Sequence, residues 1–560
     1  MINTIHSPRM LFPAGALVVT IAAAAVTLTM SGWFSVNRIT HFPGLFPSTS
    51  GSPTPSESVQ LASLAPGIVY DDSCSDTDGT NFFQRGAVTA YAGTRMSVRT
   101  DTCIVGSIRK LIEYSCNGNV IQQQEYTCLA GCSNGACKKI GTVYVVDTID
   151  TEASPNGEIA YHGTLDLSDY KPGAFVDQIL QPAFRNTFTD SFGGHPKISW
   201  LLLSEEGYCQ STQADCHAVH TAMAPYLGRL AAIGDKVGWH YHGVDWTANE
   251  DGSMQWNQLL TFNGTKVFTG ETEKAQAERI FASSIIQKRT YPTTFRSGWV
   301  WENNDYSNWL DDVIPFDFSN IAPLSTINPG DCTIKCMSIG NRYDWSQAPR
   351  DWSEYHPKAT NYQQPGTLKR WEFRSAMEWS DLDAAFKRAA AGKDTLVTIY
   401  THNYNLLETQ NYILERVMGT ASGNPKVPYK FVTAQEGAQI ITDTSLDTVA
   451  PQVTVVKTAA SPIVGDSTNV LTDMFDSAVA LNTVTVMSNE PLFTFPYGAL
   501  RAEGKYLRLR PTSTAPVISP GTYTWTYDVS AYITPDQHNI FVAGGTDKAG
   551  NSFVADAVAL

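Results

Sequence analysis

Between residues 141 and 441 short β-branched apolar runs alternate with longer amphipathic ones, and this alternation limits the possible folds more than any other feature of the chain. The strand-like runs are 142–150, 198–204, 236–244, 293–301, 316–322, 395–402 and 429–433. Between them, 217–233, 272–288, 381–391 and 408–418 carry apolar residues at helical spacing and are long enough to cover a sheet. Alternating strands and helices call for an α/β domain with parallel strands and helical crossovers, and seven strands suit a closed or nearly closed barrel. In such barrels the reactive groups gather at the carboxyl ends of the strands.

The flanks differ in kind. Residues 70–139 hold six cysteines (74, 103, 116, 128, 132 and 137) among Asn and Gly turns. A unit of this size buries too little apolar surface to be stable unaided, so three disulfides are expected within it. Zinc binding by the Cys128–Cys137 run is the rival reading. Cys209 with Cys216 and Cys332 with Cys336 form two further close pairs. From 447 to 560 the helical pattern ends, and short Val, Thr and Tyr-rich runs between Pro and Gly turns indicate an antiparallel β-sandwich; its closing GGTDKAGN resembles the last hairpin of immunoglobulin-like modules, and the domain is read as a spacer or glycan-contacting accessory.

At the other end, no charged residue falls between Arg9 and Arg38, and the apolar run 11–34 is long enough to span a bilayer as a helix. Residues 1–38 are expected to be a signal anchor or a signal peptide; the length of the run and the lack of a small-x-small cleavage site favour the anchor. Residues 39–69 form a Pro/Ser-rich linker. Membrane attachment and disulfides together place the bulk of the chain outside the cell, on its surface or secreted. The net charge of −15 offers no basic stripe for phosphates, so nucleic acid is excluded as a partner.

Four pieces of the α/β region carry chemistry. Residues 145–152 (VVDTIDTE) place three carboxylates at a strand end; by strand parity Asp150 and Glu152 share a face and Asp147 lies on the other. His240 and His242 in KVGWHYHG also share a face, so both imidazoles can reach one metal ion. Arg296 in FRSGWVWE sits in an apolar strand, where a guanidinium needs a carboxylate partner. His402 ends the run TIYTH. Singly, each has a plain structural reading: an acidic turn, two half-exposed histidines, a core ion pair, a satisfied core histidine.

In this order the pieces resemble the polysaccharide deacetylase family. TIDTE at 148–152 resembles that family's TFDDG, and GDKVGWHYHG resembles the His-x-His form of a divergent branch, since Val244 stands where the common His-x-x-x-His motif has its second histidine. FRSGWVWE is similar to Arg-x-Pro-(Tyr/Phe)-Gly without the proline; KISWLL at 197–202 and IPFDFSN at 314–320 resemble two further segments. The resemblance implies a distorted (β/α)7 barrel and a divalent metal, zinc first, held by Glu152, His240 and His242. Asp147 takes the acidic position only if the strand ends early or bulges. It further implies Asp150 as general base, Arg296 orienting it, and His402 as general acid. Trp239, Trp299 and Trp301 are candidate sugar-stacking surfaces or core, and Tyr241 is a candidate substrate contact through its backbone N–H.

The expected activity is removal of N-acetyl, or O-acetyl, groups from an extracellular or cell-wall polysaccharide. The alternatives are a non-catalytic glycan-binding surface protein built on a degenerate barrel, and another metal-dependent hydrolase on the same frame.

Overall fold

Val143–Thr151 (β1) is the strand on which the barrel is built. Its VYVVDTIDT run is buried on both faces, as a central parallel strand covered by helices requires. On one side it pairs in parallel along its whole length with Thr395–His402 (β7). On the other, its second half pairs with Ile198–Leu203 (β2) and its first half with Tyr429–Val432 (β8). The sheet continues through Lys236–Tyr241 (β3), Thr294–Ser297 (β4), Phe316–Asn320 (β5) and Trp371–Arg374 (β6). The ring closes between β6 and β7 by one bridge, Ser375 opposite Thr398, with the Ala376 N–H donating to the Thr398 carbonyl at 2.7 Å. The result is a nearly closed barrel of parallel strands, seven of them in the ring.

The computed structural model describes residues 70–153, 164–248, 254–258, 262–264, 270–323, 343–376, 379–403, 407–458, 482–533 and 539–560, less 108, 129, 210, 212 and 446. The apolar run 11–34, the linker and the Cys332–Cys336 pair lie outside these residues. Among the described residues no helix is long and apolar enough to cross a membrane.

Two sequence expectations for the barrel need correction. The run 429–433 does form a strand, but β8 pairs only with the first half of β1, and the seventh ring position belongs to β6, which the hydrophobic pattern did not mark. Its four residues, WEFR, carry two charges. They are tolerated because Glu372 is fully buried beside Arg370, which donates to it at 2.6 Å and also to Asp317 and Glu302. The run 236–244 breaks after Tyr241, and Val244–Ala248 pairs instead with Met254–Gln258.

The covering helices match the amphipathic runs. Glu273–Lys288 (α1) begins at Thr272, whose side chain accepts from the Ala275 N–H as an N-cap. Trp379–Ala390 (α2) and Leu407–Gly423 (α3) cover β1 and β7. The stretch 217–233 is divided at Pro225, which starts a short 3-10 turn between two helices.

All described cysteines are paired. Cys74–Cys116, Cys103–Cys132 and Cys128–Cys137 staple the small module and Cys209–Cys216 closes a loop of the barrel, which overturns the zinc reading of the Cys128–Cys137 run. The C-terminal region is two antiparallel sheets enclosing a core of Val484, Val486, Leu500, Trp525, Tyr527 and Phe541. It is not a free spacer. Tyr497, Ala499 and Val542 share a core with Phe281 and Ile285 of α1, and the Tyr497 hydroxyl donates to the Glu278 carbonyl at 2.9 Å.

A candidate metal centre

The carboxyl ends of β1, β3, β4 and β7 bring six of the expected residues to one place: Asp150, Glu152, His240, His242, Arg296 and His402. In register, His402 lies opposite Asp150 and His240 opposite Arg296. Glu152, one residue past the end of β1, and His240 and His242 form a buried triplet whose ligand atoms lie within 4.8 Å of one another. Glu152 Oε1 is 3.7 Å from His240 Nε2, 3.8 Å from His242 Nε2 and 3.8 Å from His402 Nε2.

The histidine tautomers are set by their outer partners. His240 Nδ1 is 2.9 Å from the Arg296 carbonyl, which can only accept, so Nδ1 carries a proton, and in the neutral ring Nε2 keeps the lone pair. His242 Nδ1 is 3.3 Å from Glu205 Oε2, and a carboxylate there favours the same tautomer. Two Nε2 lone pairs then face each other at 3.0 Å beside a carboxylate. Lone pairs at that distance repel; either a proton on one ring or a cation between them relieves that repulsion, and with both rings neutral the donor set fits a divalent metal.

The charges of the site are held by their neighbours. Burial by itself would raise the Asp150 pKa, but the Arg296 guanidinium, with His240 and His402, more than offsets it and keeps this carboxyl below the usual range. Burial also opposes ionisation of Glu152, and the three histidines again win. His240 goes up, against its burial, because Asp150 and Glu152 favour its charged form. His402 goes down, since burial outweighs the attraction of the same two carboxylates. Arg296 is fixed on every side: it donates to Asp150 at 2.9 Å, to the Phe318 carbonyl at 3.3 Å and to Ser375 at 3.2 Å, and its guanidinium lies 4.7 Å from the Tyr400 ring centroid.

No protein-family model, curated protein or solved structure matches this chain. What the centre can do chemically therefore follows from its own donors and their arrangement.

The rings of Trp239, Tyr241 and Trp301 lie away from the centre; the contact expected of Tyr241 is through its backbone N–H, which the direction of its ring does not change. Trp239 and Tyr241 alternate with His240 along β3, so parity sends their rings outward into the core under α1. Trp239 packs on Phe281 and Phe295, and the Tyr241 hydroxyl donates to Glu273. Trp301 stacks on Tyr306 in the same core. Trp299 alone belongs to the site: it is half-buried, with a left-handed φ of 51°, and its ring stacks on His242 at 4.4 Å between centroids. His402 keeps 28% of its side chain exposed, so the centre opens to solvent on this side.

Asp147 also lies elsewhere. It points into the helical layer, where Gln410 of α3 donates to its Oδ2 at 2.5 Å. Strand parity holds to the end of β1, and Glu152 is the acidic member of the triplet.

Sequence reasoning missed Glu205, Asn403 and Gly298. Asn403 clamps the Glu152 backbone, accepting from its N–H at 2.6 Å and donating to its carbonyl at 3.0 Å. A Cβ on Gly298 would lie 1.8 Å from the His242 ring, so only glycine leaves room for that imidazole. Glu205 follows the end of β2, and a carboxylate just past a barrel strand was a legible signal.

Proposed function

We propose that this protein is a metal-dependent hydrolase of the polysaccharide deacetylase type, on a distorted (β/α)7 barrel with an immunoglobulin-like sandwich attached. It removes N-acetyl, and less readily O-acetyl, groups from an extracellular or cell-wall polysaccharide. The observation that carries this reading is the convergence of three units at one barrel end: the Asp150–Arg296 pair, the Glu152, His240 and His242 triplet, and the partly exposed His402.

The nitrogen-rich donor set favours zinc, which when bound would supply Lewis acidity towards the acetamide carbonyl and make a water molecule more acidic. Asp150, kept ionised by Arg296, takes a proton from the attacking water. His402, across the register from Asp150, gives a proton to the departing amine. Trp299, stacked against His242 at the open side, offers an aromatic face to a sugar ring. Four disulfides support an oxidising, extracellular setting, and the apolar run 11–34 supports membrane attachment.

The test is acetate release from acetylated chitooligosaccharides, peptidoglycan and acetylated exopolysaccharide by zinc-loaded protein. Asp150→Asn should lower turnover by about a hundredfold or more, the scale for losing a general base, while metal content stays unchanged. No acetate from any substrate, with glycan binding undiminished in Asp150→Asn, would instead identify a glycan-binding protein.

A further inference from the structure

We propose that the disulfide-rich module contains a calcium site formed by the carboxylates of Asp78, Asp101 and Glu113. The three approach from different segments, Asp78 just past the strand Tyr70–Asp76, Asp101 between two strands, and Glu113 within Lys110–Asn117. One ligand oxygen from each lies within 4.8 Å of the others. The Cys74–Cys116 bridge ties the first of these strands to the last.

Glu113 is the decisive residue. It is 0% exposed, and neither of its carboxylate oxygens has a hydrogen-bond partner. A buried carboxyl group left so would cost several kcal/mol if charged, on the order of that for any unpaired buried ion. Asp101, 1% exposed, is oriented by the backbone, accepting from the N–H groups of Gly86 and Tyr114. Both hydrogen bonds leave lone pairs to spare on the carboxylate. Asp78 and Asp101 close over the Gly86 backbone so tightly that a Cβ there would lie 1.6 Å from Asp78 Oδ1 and 2.8 Å from Asp101 Oδ2.

No Lys or Arg among the described residues forms an ion pair with these groups. Burial first, then the charge of Asp101, pushes Asp78 up to about 6 and Glu113 up to about 7, as expected where negative charge lacks a cation. Of the other acidic triplets, one is paired with a cation, and the other, Asp447, Glu490 and Asp547, is more exposed. Glu302, Asp317 and Glu372 all accept from Arg370, and Asp547 accepts from Asn551. An all-oxygen, carboxylate-rich set suits calcium better than magnesium, which retains most of its waters, or zinc, which prefers nitrogen and sulfur.

The test is calorimetric titration of the full-length, EDTA-stripped protein with calcium chloride, with magnesium chloride and zinc chloride as comparisons. Wild-type protein should bind calcium, and its unfolding temperature should rise with it. Glu113→Gln, which keeps the side-chain volume, should lose that equivalent; Asp78→Asn, at a half-buried position, should weaken it by about tenfold or more through loss of one charged ligand. His240→Ala/His242→Ala should lose zinc but bind calcium as wild type does, which separates this site from the barrel centre. Asp547→Asn should likewise leave calcium binding intact. Absence of calcium uptake by wild type at millimolar concentration, or equal uptake and equal thermal shift in Glu113→Gln and Asp78→Asn, would overturn the proposal. If Glu113→Gln fails to fold, the Asp78→Asn titration decides.

Discussion

Arg296 Nη1 donates to Asp150 Oδ1 across 2.9 Å, and both side chains are all but shut off from water. The same guanidinium holds the Phe318 carbonyl and Ser375, so it fixes the carboxylate in position as well as in charge. Lysine at this position would keep the charge but lose the planar fork. Arg296→Lys should lower kcat by about tenfold or more with bound metal unchanged, because small displacements of a reacting group are costly. Arg296→Ala should destabilise the fold by about 3–5 kcal/mol, the cost of breaking a buried pair from one side. Turnover, metal content and denaturant midpoints of the two variants check this.

The outer carboxylate Glu205 is expected to act through His242. Glu205→Gln should weaken metal binding by about 10–100-fold, the usual effect of removing a partner behind a ligating histidine. His240→Ala and His242→Ala should each remove most of the metal while the far-ultraviolet spectrum stays that of the native protein. Competition with a chelating dye gives the affinities. Wild-type affinity in Glu205→Gln would show that the His242 tautomer is set by another group.

Much of the barrel was legible because parallel strands covered on both faces are nearly continuous apolar runs, as β2 (ISWLLL) is. Period-two alternation also separated Glu152 from Asp147 and joined His240 to His242. The strand β6 was not legible, since WEFR is buried with Glu372 held by a hydrogen bond from Arg370, a residue outside the strand. The aromatic candidates were misplaced for a related reason. Parity puts Trp239 and Tyr241 on the face opposite the two histidines, and the sugar-stacking role of Trp239 rested on its residue type against that parity. Trp299 escapes parity altogether, because the chain leaves the strand at Ser297 and turns through a left-handed residue.

That difference separates two tryptophans by experiment. Trp239→Ala should cost about 3–5 kcal/mol of stability, as expected for a large buried aromatic, and should leave substrate preference unchanged. Trp299→Ala should leave stability nearly intact and raise KM for oligosaccharides more than for a small acetylated substrate. Denaturation midpoints and KM values for long and short substrates distinguish the two.

Asp147 gives a prediction in pH. Its burial raises the carboxyl to about 7, and the Arg185 charge offsets this only in part. An unfolded aspartate titrates near 4, so the native state holds this proton more tightly than the unfolded state does. The stabilising contribution is whole at low pH and is lost as pH rises from about 4 to about 7. Asp147→Asn removes that loss and still presents an acceptor to Gln410. The variant should melt a few degrees above wild type at pH 8 and with no such gain at pH 4. An equal difference at both values would show that Asp147 stays ionised in the fold.

Gly298 tests how closely the metal centre is packed. The His242 ring occupies the space a side chain at 298 would need, with Cδ2 1.8 Å and Nε2 2.8 Å from the position of a Cβ. A methyl group cannot be accommodated at such distances, and the backbone of β4 is held by its pairing to β3 and β5. The side that yields is the imidazole, which is stacked on Trp299 and faces Glu205. Gly298→Ala should therefore displace His242 Nε2 from His240 Nε2 and Glu152, and lower metal affinity about as far as His242→Ala does. The strand and the core under α1 should remain, since Trp239, Phe295 and Trp301 keep their contacts. Metal titration together with a near-ultraviolet spectrum separates the two effects. Full metal affinity in a folded Gly298→Ala protein would show that His242 can shift without leaving the centre, and that the triplet is looser than its 3.0 Å Nε2–Nε2 contact indicates.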